Sequence, residues 1–307
     1  MTRVPLPFVA LSIALAAPAP LSAQVTFRAA TQANDRKPPA VAEDREIVVQ
    51  GQRRSVMRHL RDVIARSGAD QLARFEDKVC PMVIGMPRDL TDKMTRMIRA
   101  NIESFGAKVQ PVGCQPNGLV IFISRPAELV EAIRKEEPWM LGIKPRTARN
   151  FVDNIGPINS WHVTETRGSE GQLLGSYSTD GLTTDAAVTR SVSSSRLYTP
   201  ARQEMQLGMV VVDKDRTVGH TLRQMSDLAT MHLLLEIKAS AGTKDPGSIL
   251  SLFEPRPDGQ EKPQRLSRLD RGAMAGFYRQ RVNNVSSAQQ RENIAREMER
   301  GAGESRR

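Results

Sequence analysis

Apolar residues first recur at helical spacing from Ser55, where Val56, Leu60, Val63 and Ile64 share one side and Gly68 supplies a stop. The run Lys78-Val-Cys-Pro-Met-Val-Ile-Gly85 is short and apolar and predicts a strand. Leu90, Met94, Met97, Ile98, Ile102 and Phe105 then mark a helix closed by Gly106. Gly118-Leu-Val-Ile-Phe-Ile-Ser124 lacks the polar alternation of a half-exposed strand, which predicts a central strand covered on both faces. Leu129, Ile133 and Trp139-Met-Leu return to helical material. This strand, helix, strand, helix order implies an α/β layer in the first half.

Further along, Trp161-His-Val-Thr-Glu-Thr166 alternates as a strand does, and Ser191–Leu197 with Met205–Val212 reads as a pair of strands. Between them, Gly168–Ala187 is rich in Gly, Ser, Thr and Asp and predicts a long surface loop. The strongest helical pattern runs from Thr221 to Ile237, with Leu222, Met225, Leu228, Ala229, His232, Leu233 and Glu236 along one broad face, ended by Gly242–Gly247. Ile249–Phe253 is a short apolar segment, Glu254–Pro263 is a Pro/Gly-rich connection, and Leu266, Leu269, Met274 and Phe277 support another helix. From Val282 onward the chain is polar with few anchors, an exposed helix or a tail. No repeat appears at a period typical of solenoids or propellers. The expected fold is therefore α/β, with α+β as the alternative: a mixed sheet with flanking helices. It occupies one domain over 44–280, or two lobes at about 44–155 and 156–280, followed by a polar basic tail over 281–307.

The N-terminus bears on the compartment. Arg3 precedes the apolar run Phe8–Ala17, too short to span a bilayer but of signal-peptide length, and the small residues ending in Ala23 imply cleavage before Gln24. Residues 24–43, with Pro38-Pro39, predict a flexible lead-in. Arg45-Glu-Ile-Val-Val-Gln-Gly51 resembles a stretch near the mature start of many exported proteobacterial proteins, including the plug domains of TonB-dependent receptors, although the chain lacks the strands for such a barrel. The expected location is the periplasm or the exterior, with no membrane-spanning segment after processing. There, Cys80 and Cys114 are expected to pair; the competing reading, a reactive thiol, lacks a C-x-x-C pair or any context that lowers a thiol pKa.

Composition narrows the ligands. With 307 residues and only 8 Phe, 3 Tyr and 2 Trp, the chain is poor in stacking platforms for bases or sugars. Two Cys and four His cannot fill a multi-zinc scaffold. The net charge of +10 gathers in two places: Pro255–Arg307 holds twelve Arg and Lys against seven acids, and Arg53, Arg54, Arg58, Arg61 and Arg66 face only Asp62. In an exported protein these patches are solvated surface or meet anionic envelope polymers, lipid head groups or another envelope protein; no nucleic-acid partner is expected.

The order of a helix containing Leu222-Arg-Gln-Met-Ser-Asp-Leu-Ala-Thr-Met231, then Ser248-Ile-Leu-Ser-Leu-Phe253, then Leu266–Tyr278 resembles a family of uncharacterised exported alphaproteobacterial proteins. It is also similar to a zincin-like group of unknown function. The likeness covers roughly Val210–Tyr278 and implies a zincin-like second half. The group's metalloprotease-type pair, H-E-x-x-H, places two imidazoles one helical turn apart with a carboxylate base between them. The matching positions here hold Arg223, Gln224 and Asp227, and neither an arginine nor an amide can serve those roles. No metal and no cofactor is expected. His220, Gln224 and Asp227 fall within about 60° on a helical wheel and form a candidate polar cluster. His162, with Thr164 and Thr166 on its own strand face, is a second candidate; His232 reads as a core histidine. The chain contains no G-x-S-x-G elbow, S-x-x-K pair, Gly-Lys-Ser/Thr or G-x-G-x-x-G. The sequence thus favours a non-catalytic, zincin-like binding or structural module of the envelope. The alternative is a metal-independent or atypical hydrolase of envelope peptide or glycan, with His162, His220 and Asp227 as weak catalytic candidates.

Overall fold

The computed structural model describes residues 53–65, 71–142, 154–179, 182–188, 198–257, 259–281 and 283–304. All belong to one compact unit, Asp44–Arg307. The expected signal segment, the lead-in, Arg45–Gly51, Arg66, Gly68 and the strand at Ser191–Leu197 lie outside the described residues.

Residues 53–63 form helix α1 and bury Val56, Leu60 and Val63. Strand β1 (Pro81–Ile84), helix α2 (Arg88–Ser104), strand β2 (Gly118–Ile123) and helix α3 (Pro126–Glu136) follow in the order the apolar pattern implies. Pro126 at the first position suits the helical φ, and Glu128 near the start with Arg134 and Lys135 near the end match the helix dipole. Strands β3 (Ile158–Gly168), β4 (Gly175–Thr179), β5 (Leu182–Val188) and β6 (Ala201–Asp213) come next. Helices α4 (Leu222–Leu234), α5 (Ala241–Lys244), α6 (Arg268–Arg279) and α7 (Ser287–Glu304) complete the chain.

Four strands make one mixed sheet in the order β1-β2-β6-β3, with β1, β2 and β6 parallel and β3 antiparallel to β6. This agrees with an α/β fold. Because β6 from the second half sits directly beside β2 from the first, the two halves share one sheet. Val83, Val120, Phe122, Val210 and Val212 belong to the larger core, where Met94, Ile98 and Ile102 of α2 and Leu228, Met231 and Leu233 of α4 also pack. A smaller core holds Met209, Val211 and Trp161 with Val130 of α3 and Leu141, and Leu119, Ile121 and Ile123 pack partly buried against it. Filling both faces is what the uninterrupted apolar run of β2 requires.

Cys80 and Cys114 form a disulfide with Cα atoms 6.1 Å apart, closing a separation of 34 residues at the start of β1 and before β2. No helix among the described residues is long and apolar enough to cross a membrane.

Three expectations need correction. Part of the expected loop at 168–187 is a two-stranded hairpin, with Ser178 opposite Thr183 and Gly175 opposite Val188. Its small polar residues hide the strands from hydropathy, since backbone pairing holds it. The expected tail contains α7, which packs on α6 and buries Ile294, Ala295 and Gln290. Its principal anchor is an amide, which an apolar pattern does not register: Gln290 accepts from Leu72 N at 2.6 Å and donates to Leu72 O at 3.1 Å. The long helix ends at Leu234, three residues early, because Ile237 leaves it to bridge Ile64.

Gly85, just after β1, has φ +91°, and a Cβ there would lie 1.9 Å from Phe122 O. Gly85→Ala should therefore lower unfolding stability by at least about 2 kcal/mol, read as a shifted urea midpoint at unchanged slope.

Candidate functional site

Helix α4 starts with a reciprocal cap. Thr221 Oγ1 accepts from Gln224 N at 3.2 Å, and Gln224 Oε1 accepts from Thr221 N at 2.8 Å. The same amide donates through Nε2 to Pro263 O at 2.9 Å, so Gln224 is fully used in fixing the helix start and the following connection. One turn on, Asp227 is wholly buried. Its carboxylate accepts from Asn101 Nδ2 of α2 at 3.0 Å and from Leu266 N at 3.2 Å, and Arg223 Nε lies 3.1 Å from Oδ1. Asn101 also donates to Thr230 Oγ1 at 3.2 Å. The three positions that match a metal-binding pair thus cap a helix, hold a loop and join α2 to α4.

His220 does not complete the cluster that the helical wheel implies. It precedes the cap, so it is off the helix, and its ring packs edge-on against Phe253 with centroids 5.2 Å apart. It is half-buried, its Nδ1 has no hydrogen-bond partner, and its pKa is lowered first by desolvation and then by the charge of Lys262. Among the described residues no hydrogen bond, ion pair or ring contact joins His162, His220 and Asp227.

His162 projects from β3 toward α4, where Nε2 donates to Leu233 O at 2.9 Å. Space for the ring comes from Gly208, its partner on β6: a Cβ there would stand 3.3 Å from His162 Cδ2 and 2.8 Å from Leu233 Cδ1. Burial pushes His162 down to about 4. His232 pairs through Nδ1 with Ser160 Oγ at 2.8 Å, and burial, with a smaller contribution from His162, pushes it down to about 3. Both rings are therefore neutral at ordinary pH. The sequence places His232 in the core, as found; its neighbour across the interface is His162 rather than His220.

One constellation is not visible in the sequence because its members come from three distant segments. His59 of α1 is buried with Nδ1 3.1 Å from Asp245 Oδ2 and Nε2 3.8 Å from Asp270 Oδ1. Ser248 Oγ donates to Asp270 Oδ1 at 2.6 Å, and Ile249 N and Ser267 N donate to Asp270 Oδ2 at 3.0 and 2.9 Å. Serine, histidine and aspartate meet here in the wrong order for nucleophilic catalysis. The hydroxyl proton goes to the carboxylate, leaving no serine-to-imidazole path. The only sequence signal for the cluster is the Ser267-x-x-Asp270 capping box at the start of α6. Among the described residues no group of three or more His, Cys, Asp or Glu could hold a metal ion.

No protein-family model matches the chain, and no curated protein or solved structure is significantly similar to it.

Two outcomes follow from this geometry. Asp227→Ala strands the Asn101 amide, the Leu266 N–H and Arg223, so it should cost about 3 kcal/mol in chemical unfolding, with Asp227→Asn less severe. The pH dependence has two opposing limbs. A buried histidine whose folded pKa is depressed supports stability above its unfolded value of 6.5 and loses it as pH falls toward about 4 for His162 and about 3 for His232. Glu236 works the other way: burial raises its carboxyl from 4.5 to about 7, so stability falls as pH rises across that window. Removing this limb with Glu236→Gln should leave stability rising with pH from 4 to 6.5, by up to about 1.4 kcal/mol per pH unit for each histidine. Denaturant midpoints measured across pH read this directly; a flat profile in that variant would remove the histidine limb.

Proposed function

We propose that this chain is an exported protein of the cell envelope with a zincin-like second half and a binding or structural role. The carrying observation is the Cys80–Cys114 disulfide, which stabilises by about 3–4 kcal/mol for a loop of this length and persists only in an oxidising compartment. The signal-like segment before Gln24 supports the same location. The commitment of Arg223, Gln224 and Asp227 to internal contacts favours a binding or structural role over metal-dependent hydrolysis.

A hydrolytic reading rests on His220, whose half-exposed ring has an unpartnered Nδ1. Turnover of peptide or glycan substrates that disappears in His220→Ala, at unchanged thermal stability, would establish it over the binding role.

Expression from the native start and fractionation of the envelope test the main reading. The expected product is periplasmic or secreted, has a mass beginning at Gln24, and takes up an alkylating reagent at two thiols only after reduction. A full-length cytoplasmic product with two freely alkylated thiols would overturn it.

A further inference from the structure

The two basic segments of the sequence have different fates in the fold. In the C-terminal segment, arginines serve as caps for the protein's own carbonyls: Arg271 donates to Leu266 O at 2.6 Å and Arg279 to Ser104 O at 2.9 Å. Arg256 donates to Glu261 O, Arg291 to Ile64 O, and Arg296 pairs with Glu292. These five are engaged by the protein's own acceptors, whereas Lys262, Arg265, Arg268 and Arg281 are exposed and spread from the connection before α6 to just past its end.

Helix α1 gathers its cations on one face. At 100° per residue, Arg54, Arg58 and Arg61 fall within about 60° of arc, on the side opposite the buried Val56, Leu60 and Val63, and span about 10 Å along the axis. All three are exposed, and none makes a hydrogen bond or ion pair through its guanidinium among the described residues. The nearby acids are engaged or turned aside: Glu292 pairs with Arg53, Asp245 faces His59, and Asp62 is half-buried at the edge of the arc. Lys238, exposed, reaches the Arg61 carbonyl and adds a cation at the end of the row.

We infer that this arginine face is a docking surface for the phosphates of an anionic lipid bilayer. Guanidinium groups bind phosphate oxygens through paired N–H donors, and a straight, rigid row suits a flat array of head groups. Neutral glycans are held largely by aromatic side chains stacked on sugar rings, and residues 53–63 contain none; an acidic glycan is separated by the heparin arm of the test. The inference rests on the envelope location proposed above for its setting. Its test uses purified protein and so stands apart from localisation.

The experiment is co-sedimentation of the full, disulfide-bonded chain with vesicles of phosphatidylcholine alone or with phosphatidylglycerol. The expected result is binding to the anionic vesicles only, falling steeply with salt. The triple variant Arg54→Gln, Arg58→Gln, Arg61→Gln should bind on the order of a hundredfold more weakly. A charge-matched control, Arg88→Gln, Lys93→Gln, Arg96→Gln on the exposed side of α2, should retain most of the binding. Equal loss in both triples would reduce the effect to net charge and overturn the inference. So would equal binding to neutral vesicles, or α1-dependent binding to heparin or nucleic acid in its place. Unchanged thermal unfolding in each triple separates these outcomes from misfolding.

Discussion

Strand β6 is the constraint on which the rest of the structure depends. It is hydrogen-bonded to β2 on one side and β3 on the other, and Met209–Val212 is buried on both faces. Over this stretch the strand carries only apolar side chains, and it requires a helix on each face. Helix α4 fills one of those places, and α3 with the turn after it fills the other. Gly208, at the start of the buried run, yields the volume that His162, Leu233 and Phe75 need in order to meet. The disulfide secures the same layer from its far edge, by fixing where β1 begins relative to β2.

Once α4 lies against the sheet, its own polar groups have to be satisfied without water. That requirement explains the buried polar side chains better than a catalytic one. Asp227 answers a free N–H at Leu266 and the amide of Asn101. Tyr278 donates to Leu234 O at 2.9 Å and so closes the C-terminal end of the helix. Arg74 does the same for α6, donating to Phe277 O and Gln280 O. Each tie joins elements far apart in the chain, and removing one partner leaves a buried group unpaired at a cost larger than the bond's own net value. The histidines obey the same rule: His162 and His232 are neutral because they are buried, and each ring has a partner that accepts a neutral imidazole.

The sequence made legible what hydrocarbon periodicity controls. Strand β2 announces itself by an unbroken apolar run, and α2 by Met94, Ile98 and Ile102. It also made the disulfide legible through compartment. What stayed hidden is held by polar contacts between distant segments. Helix α7 depends on Gln290 reaching Leu72, 218 residues away, and no window of local sequence contains both. The hairpin β4–β5 pairs Gly-Ser-Tyr-Ser-Thr with Leu-Thr-Thr-Asp-Ala-Ala-Val through their backbones, and neither strand carries the apolar alternation that marks one. The cluster around His59 draws on α1, the segment around Asp245 and Ser248, and α6. For the candidate site, the helical wheel brought His220, Gln224 and Asp227 together only by extending the helix two residues too far back. Thr221 is the cap, and the backbone before it turns away.

Charge obeys the same division between local and distant. Counting residues assigns the excess to both termini of the folded unit, and by number the C-terminal segment carries more of it. Geometry separates the two by arrangement: Arg54, Arg58 and Arg61 share one helix face, whereas the exposed Lys262, Arg265, Arg268 and Arg281 are spread along the chain. An arginine within reach of a carbonyl that has no helix partner is drawn to it, because its planar fork satisfies several acceptors at once. The ends of α1 and α2, the residue before the α6 cap and the connection after Ser248 supply carbonyls to four C-terminal arginines. On helix α1 the last-turn carbonyls of Arg61 and Val63 take Lys238, the apolar side is buried, and Arg54, Arg58 and Arg61 lie on the exposed side without such an acceptor among the described residues. The arginines pointing outward there form one compact row, and at a Debye length of about 8 Å closely spaced charges act together on an approaching surface where scattered ones act singly.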